Sequence, residues 1–322
     1  MSKIVTLANH QNDALFVLIK SLTKSEKRQF NLYVGRLEGN VDAKFFSLFK
    51  FLEKLKVYDE KVIINSGIVT KQQLSNLKAH LYRQLLISLR LNPSQQNKRM
   101  QIREQLDFAT VLYQKGLYKQ SLKLLDKAKN LALENEEKNI AYEIVELEKV
   151  IETQYITRSL SNRADLLSIQ AKTLSQQNVI ASKLSNLSLQ LYSYLLQNGY
   201  VKNNKELEFI KNYFYSKLPK YDFETFGFRE KLWLYKSHLW FSFLTQDFLQ
   251  SYKYASKWVS LFKENPRLIN LHPVFYLKGI NYLLEASFFV KKTSTFKEEL
   301  TAFENEIEQD VIPLNTNMNF WR

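Results

Sequence analysis

Between Lys61 and Arg103 the chain carries Lys61, Lys71, Lys78, Arg83, Arg90, Lys98, Arg99 and Arg103, and no Asp or Glu. Eight cations in a stretch that holds no acid suit an anionic partner such as nucleic acid, a phosphorylated ligand or an acidic protein surface. The plainer reading is solubility charge on an exposed helix and loop, and both readings stand at this point. The imbalance also holds at larger scale. Within a net charge of +14, residues 1–100 hold 17 Lys and Arg against 7 Asp and Glu, and residues 101–322 hold 29 against 25.

Other chemistry is thinly represented. Cys is absent, which excludes disulfides, thiolate nucleophiles and cysteine-ligated zinc or iron–sulfur centres, since each needs the sulfur. His10, His80, His238 and His272 are far apart in the chain, so neither a His-rich metal site nor a cofactor is expected. No GxGxxG, GxxxxGK with Ser or Thr, HExxH or GxSxG occurs, which removes the common phosphate cradle, zincin helix and nucleophile elbow. No catalytic residue is nominated, and an enzyme is not expected. Glu134, Glu136, Glu137, Glu143, Glu146, Glu148 and Glu152 form an acidic cluster. It is read as charge at a helix N-terminus followed by a solvated face, not as a metal site. His238, on a strongly aromatic helix, is read as a core-edge residue.

The elements that hold these residues are helices. Gly numbers 7 and Pro 5 in 322 residues, too few to punctuate a sheet protein. An all-α fold follows. Leu15, Phe16, Leu18, Ile19 and Leu22 fit one helix, and Thr23 and Glu26 have the capping-box spacing that starts a second. Residues 43–57 begin a third, with Phe45, Phe46, Phe49, Leu52 and Leu55 on a wide apolar face. The β-branched stretch 58–69, closed by Gly67, reads as a linker or at most one strand.

Thr70 then caps a helix over 71–91. At 100° per residue, Leu74, Leu77, Leu81 and Leu85 fall on one stripe, while Asn76, His80, Arg83 and Arg90 face the other way. A helix, a connection and an outward basic helix is the layout of helix-turn-helix readers, although a connection of about a dozen residues exceeds the usual turn. The polar run around Pro93 marks a boundary between a basic helical head module, 1–95, and the remainder, 96–322.

From Gln101 onward, long helical patterns alternate with breaks at Gly116, Glu134–Lys138, Ser159–Asn162, Gln176–Asn178, Asn198–Gly199, Leu218–Asp222, Gln246–Asp247 and Asn265–Pro273. Sequential helices with short loops lie antiparallel, so the expectation is stacked hairpins, an α-solenoid. Residues 102–133 resemble a tetratricopeptide repeat. Ala109 is the small residue of the first helix, Gly116 and Tyr118 form the turn, Ser121 is the small crossing residue, and Leu125 and Ala128 face inward. Residues 232–265 repeat the frame with Phe248, Ser251, Ala255 and Trp258, but Leu239 replaces the small helix residue. Ahead of these, SLTKSEKRQF, FFSLFKFLEKL, YDE and LSNLKAHLYRQLLISLR resemble the head of uncharacterised bacterial helical-repeat proteins, a likeness that implies no activity.

The resemblance implies a non-enzymatic protein-binding scaffold. Aromatic residues make up 14% of the chain, and those on a concave face beside lysines would anchor a protein partner. Groove candidates are Tyr118, Lys211, Tyr215, Arg229, Lys231 and Tyr235. The alternative is nucleic-acid or anion binding through Lys71, Lys78, His80, Arg83, Arg90, Lys98, Arg99 and Arg103. The tail, with Phe320 and Trp321, either packs back on the array or meets further repeats or a partner. The start of the chain carries no secretory signal pattern, and the apolar stretch 282–290 is interrupted by Glu285, so a cytoplasmic protein without a membrane span is expected.

Overall fold

The computed structural model describes residues 13–36, 44–92, 97–154, 162–220, 222–309 and 311–312. His10, the connection around Pro93, the first part of the break at Ser159–Asn162, and the tail with Phe320 and Trp321 lie outside them. Fifteen α-helices and one short 3-10 turn account for the regular structure of the described residues, and no strand occurs among them. The chain divides into two compact units, residues 1–101 and 102–322.

The first unit contains α1 (Ala14–Ser21), α2 (Lys24–Arg36), α3 (Lys44–Lys54), α4 (Glu60–Asn65) and α5 (Lys71–Leu91). Side-chain caps set the starts of α1, α2 and α4, whereas Thr70, expected to cap α5, makes no side-chain cap bond. The Asp13 carboxylate accepts from the Phe16 amide at 3.0 Å, and Thr23 and Glu26 cap each other's amides at 3.2 and 2.6 Å. Segment 58–69 departs from the linker-or-strand expectation, because α4 occupies its middle. Asp59 accepts from the Lys61 amide at 2.8 Å and Ile63 is fully buried. A β-branched run lowers helix propensity by only a few tenths of a kcal/mol per residue, and cap plus burial outweigh it. Phe30, Phe46, Phe49, Leu52 and Ile63 fill the core, and the Leu74, Leu81 and Leu85 stripe of α5 closes it.

The second unit runs through α6 (Lys98–Gln114), which starts just before the boundary, α7 (Tyr118–Glu134), α8 (Lys138–Gln154), α9 (Arg163–Asn198), α10 (Asn204–Lys217), α11 (Phe228–Leu244), α12 (Phe248–Lys263), α13 (Arg267–Leu271), α14 (Pro273–Phe289) and α15 (Thr293–Glu308). Four of its turns are the same object. Gly116, Glu136, Gln246 and Lys291 each take a left-handed φ of 57° to 74°. In each, the next amide reaches back to a carbonyl five residues earlier, as Leu117 to Leu112 at 2.9 Å and Lys292 to Ser287 at 3.1 Å. This double closure ends one helix and launches the next within three residues.

The expected break at Gln176–Asn178 does not occur, because α9 runs unbroken for 36 residues. Polar residues alone do not interrupt a helix that lacks Gly and Pro, and Asn178 is occupied: its side chain donates to the Lys138 carbonyl at 3.4 Å and accepts from Arg229 at 3.2 Å. One end of α9 gives Leu167, Ala171 and Leu174 to a core shared with α6, α7 and α8. The other end gives Leu184, Leu187 and Leu191 to a core shared with α10 to α14. Small side chains allow the close crossings. Ser121 Oγ donates to the Ala109 carbonyl at 2.8 Å, Ser237 Oγ donates to the Leu184 carbonyl at 2.9 Å, and Gly279 leaves room for the Trp258 indole.

Within the acidic cluster Glu134 and Glu143 are exposed, in line with the solvated-face reading, and Glu148 departs from it. Glu148 is fully buried and accepts from Lys129 Nζ at 2.9 and 2.6 Å and from Arg163 at 2.9 Å, tying α7, α8 and α9 together. Burial pushes its carboxyl above the usual range, against the pull of Lys129 and Arg163. Lys138 meets the buried Glu230 at 3.0 Å, joining the starts of α8 and α11. Removing one partner of such a pair leaves a buried charge uncompensated, so Glu148→Ala is expected to lower the unfolding free energy by about 3–5 kcal/mol. Urea denaturation checks this: the midpoint falls at unchanged slope, and a loss under about 1 kcal/mol would contradict the network's role.

Candidate functional site

The basic residues of the first unit divide by role. Lys71, His80, Arg83 and Arg90 are exposed along α5, and Lys98 and Arg99 are exposed after it. His80 also packs edge-on against Phe45 at 5.0 Å. Lys78 is drawn inward. Its ammonium pairs with Asp13 and donates to Tyr58 Oη at 2.8 Å, so it fastens α1 and the α3–α4 connection to α5. Its helical angle, on the flank of the Leu stripe, carries that signal in the sequence. Arg103 belongs to the second unit, where it lies 3.7 Å from Glu143. The start of α5 exposes Gln72, Gln73, Asn76 and His80, which with Lys44 line a cleft of about 340 Å³. The connection Ser66–Thr70 between α4 and α5 has five residues, with Gly67 at φ +74°.

The groove candidates of the second unit are not one surface. Lys211 and Tyr215 (64% exposed) share a cleft of about 420 Å³ with His238, Phe241 and Tyr254. Arg229 lines a separate cleft beside Asn139 and Asn178. Lys231 sits over the Phe223 ring at 5.1 Å, Tyr118 packs near Tyr113 at 5.9 Å, and Tyr235 is only 7% exposed. Tyr235 is drawn into the core because α11 is enclosed by α9, α12 and α14, which leaves little of its circumference for a groove.

Two further surfaces lie apart from these candidates. One is a cleft of about 340 Å³ lined by Ser188 and Tyr192 of α9, Trp233, Lys236 and Trp240 of α11, and Lys278 and Tyr282 of α14. Its signal is the three-, four- and seven-residue spacing of Trp233, Lys236 and Trp240, which puts all three on one helix face. The other is an aromatic ledge at the helix ends. Phe248 stacks on Phe289 at 4.5 Å and meets Tyr200 edge-on at 6.5 Å, with Phe288 74% and Leu249 62% exposed beside them. The α9–α10 connection is held to this end by the Val201 amide, which donates to the Leu244 carbonyl at 3.0 Å.

Among the described residues no group of three or more His, Asp or Glu is placed to hold a metal ion, and no helix is long and apolar enough to cross a membrane. Comparison of the chain with protein families, curated proteins and solved structures returned no match.

His238 lies between rings, stacked on Tyr254 at 4.3 Å and edge-on to Phe214 at 5.0 Å. Burial, with Lys257 and Lys253 nearby, lowers its pKa from 6.5 to about 4. The unfolded chain therefore takes the proton first. The neutral ring's contribution to stability is fully present above about pH 6.5 and is lost as pH falls toward 4. His238→Phe is expected to flatten the decline of melting temperature across that window. An unchanged slope would show that the ring protonates as readily in the fold as in water.

Proposed function

We propose that the second unit is a tetratricopeptide-like α-solenoid acting as a non-enzymatic, cytoplasmic scaffold that holds a protein partner. The observation that carries this reading is the aromatic ledge of Tyr200, Phe248, Leu249, Phe288 and Phe289, gathered from three helix connections. Contiguous exposed apolar surface is the usual mark of an interaction site on a water-facing protein. The repeated left-handed turns and the small-residue crossing of Ser121 over Ala109 support the solenoid part of the reading. Helix starts recur every 20 residues, at Lys98, Tyr118 and Lys138. A hairpin therefore takes 40 residues, where the tetratricopeptide unit takes 34.

A second reading, nucleic-acid binding by the first unit, is favoured by one observation. With α4 formed, the connection to α5 shortens to Ser66–Thr70, close to the short glycine-containing turn of helix-turn-helix readers. The exposed amides of Gln72, Gln73 and Asn76 precede Arg83 on the outward helix, and such groups read base edges.

For the scaffold, affinity purification from the native cells is expected to retain a defined partner that is lost when Leu249 and Phe288 are changed to Ser, with melting temperature preserved. The same proteins retained by both, or none retained, would overturn it. For the second reading, duplex binding followed by anisotropy should weaken with salt, and Lys71→Ala with Arg83→Ala should lower the log–log slope by roughly 1 to 2. Salt-independent binding, or a slope unmoved by the double variant, would dispose of it.

A further inference from the structure

The aromatic ledge has a charge sign as well as an apolar character. It is built from three connections, 199–203 between α9 and α10, 245–247 between α11 and α12, and 290–292 between α14 and α15. Across 199–205, 245–250 and 288–293, which hold these connections and the rings beside them, the charged residues are Lys202, Lys205, Lys291 and Lys292 against a single acid, Asp247. All five are exposed. Asp247 is engaged by its own helix, its carboxylate accepting from the Gln250 amide at 3.1 Å. Glu206, the next acid along α10, accepts from the Lys202 amide and from Asn203 Nδ2, both at 2.9 Å. Lys292 Nζ lies 4.1 Å from the centre of the Tyr252 ring, which brings its charge to α12 one turn from Leu249. The ledge is therefore an apolar face in a basic surround.

The backbone narrows the kind of segment that fits. Among the described residues no strand occurs, so no sheet edge is there for an extended segment to join. Phe248 and Phe289 stack on each other at 4.5 Å and 16° between planes, which leaves no slot between them for a proline-rich segment. Recognition has to come from side chains laid on Leu249, Phe288 and the stacked pair. An amphipathic helix supplies that form, with apolar residues three, four and seven apart on one face and acids along its flanks.

We propose that the ledge holds an acidic amphipathic helix of a partner protein, its apolar stripe on Leu249, Phe288 and Phe289 and its carboxylates toward Lys202, Lys205, Lys291 and Lys292. Apolar contact supplies most of the affinity, while the lysines set orientation and on-rate and turn away basic segments. This occupant rests on the scaffold reading and goes further, because it fixes the partner's chemistry.

The test is selection on the full chain from a display library of random peptides about 20 residues long, with counter-selection on the Leu249→Ser, Phe288→Ser double variant. Enriched peptides should be net acidic with apolar residues at helical spacing, and a synthetic copy should gain helical circular dichroism on binding. Fluorescence anisotropy with that copy should show binding at least about tenfold weaker for the triple variant Lys202→Gln, Lys205→Gln, Lys291→Gln. Raising salt from about 0.1 to about 0.5 M should weaken the wild type more than this variant. The three side chains are exposed, so melting temperature should be kept. Ledge-dependent peptides that are neutral or basic, that bind without helix, or that ignore the triple variant would overturn the acidic-helix proposal and leave the scaffold reading standing. The absence of any ledge-dependent peptide would overturn both. Sedimentation with phosphatidylcholine vesicles holding about 30% phosphatidylserine, lost in the double variant, would overturn the proposal in favour of a lipid surface.

Discussion

The two cores of the second unit share one wall, α9. Its 36 residues span about 54 Å at 1.5 Å per residue, long enough to serve α6 to α8 at one end and α10 to α14 at the other. Its main partners are α8 at one end and α11 at the other. Ser237 allows α11 to cross it closely, Asn178 clamps the starts of α8 and α11 to its middle, and Ser188 and Tyr192 bring it to the cleft lined by Trp233 and Trp240. A kink at its centre would separate the two cores. The amphipathic stripe therefore has to stay in register through Gln176–Asn178, where the sequence is least apolar.

Buried charge does the remaining positioning. Glu148 sits among Lys129, Arg163 and the neighbouring Asp126 and Glu152, and Lys138 bridges Glu230 with Glu136 close by. Such groups contribute little net stability relative to an apolar replacement, because desolvation offsets much of the Coulombic gain. Their effect is selective. A helix shifted by one residue in register would leave a charge in the core without its partner, a far larger penalty than a misplaced leucine. Gly227 shows how tight the arrangement is, since a Cβ there would stand 2.5 Å from Lys138 Nζ.

The all-helical class, the bounds of α5 and the Thr23–Glu26 cap were legible because each rests on local chemistry: scarce Gly and Pro, a 3.6-residue period, a hydroxyl and a carboxylate three residues apart. What was not legible depends on partners distant in sequence. Glu148 looks like any surface glutamate until α7 and α9 enclose it. Helix α4 reads as a linker or at most one strand until Ile63 finds the core. The turn at Lys291 has no glycine to announce it, whereas the one at Gly116 does. The aromatic-and-lysine periodicity of α11 is visible in one dimension, but its meeting with Lys278 and Tyr282 is a product of the fold.

Three of the four left-handed turn positions hold residues with a Cβ, Glu136, Gln246 and Lys291. For such residues this conformation costs about 1 kcal/mol or more. A lone hairpin would not keep it. The conformation is held by the amide that reaches back five residues and by the helices packed on either side, so its cost is offset by the packing of the unit and not by the turn residue itself.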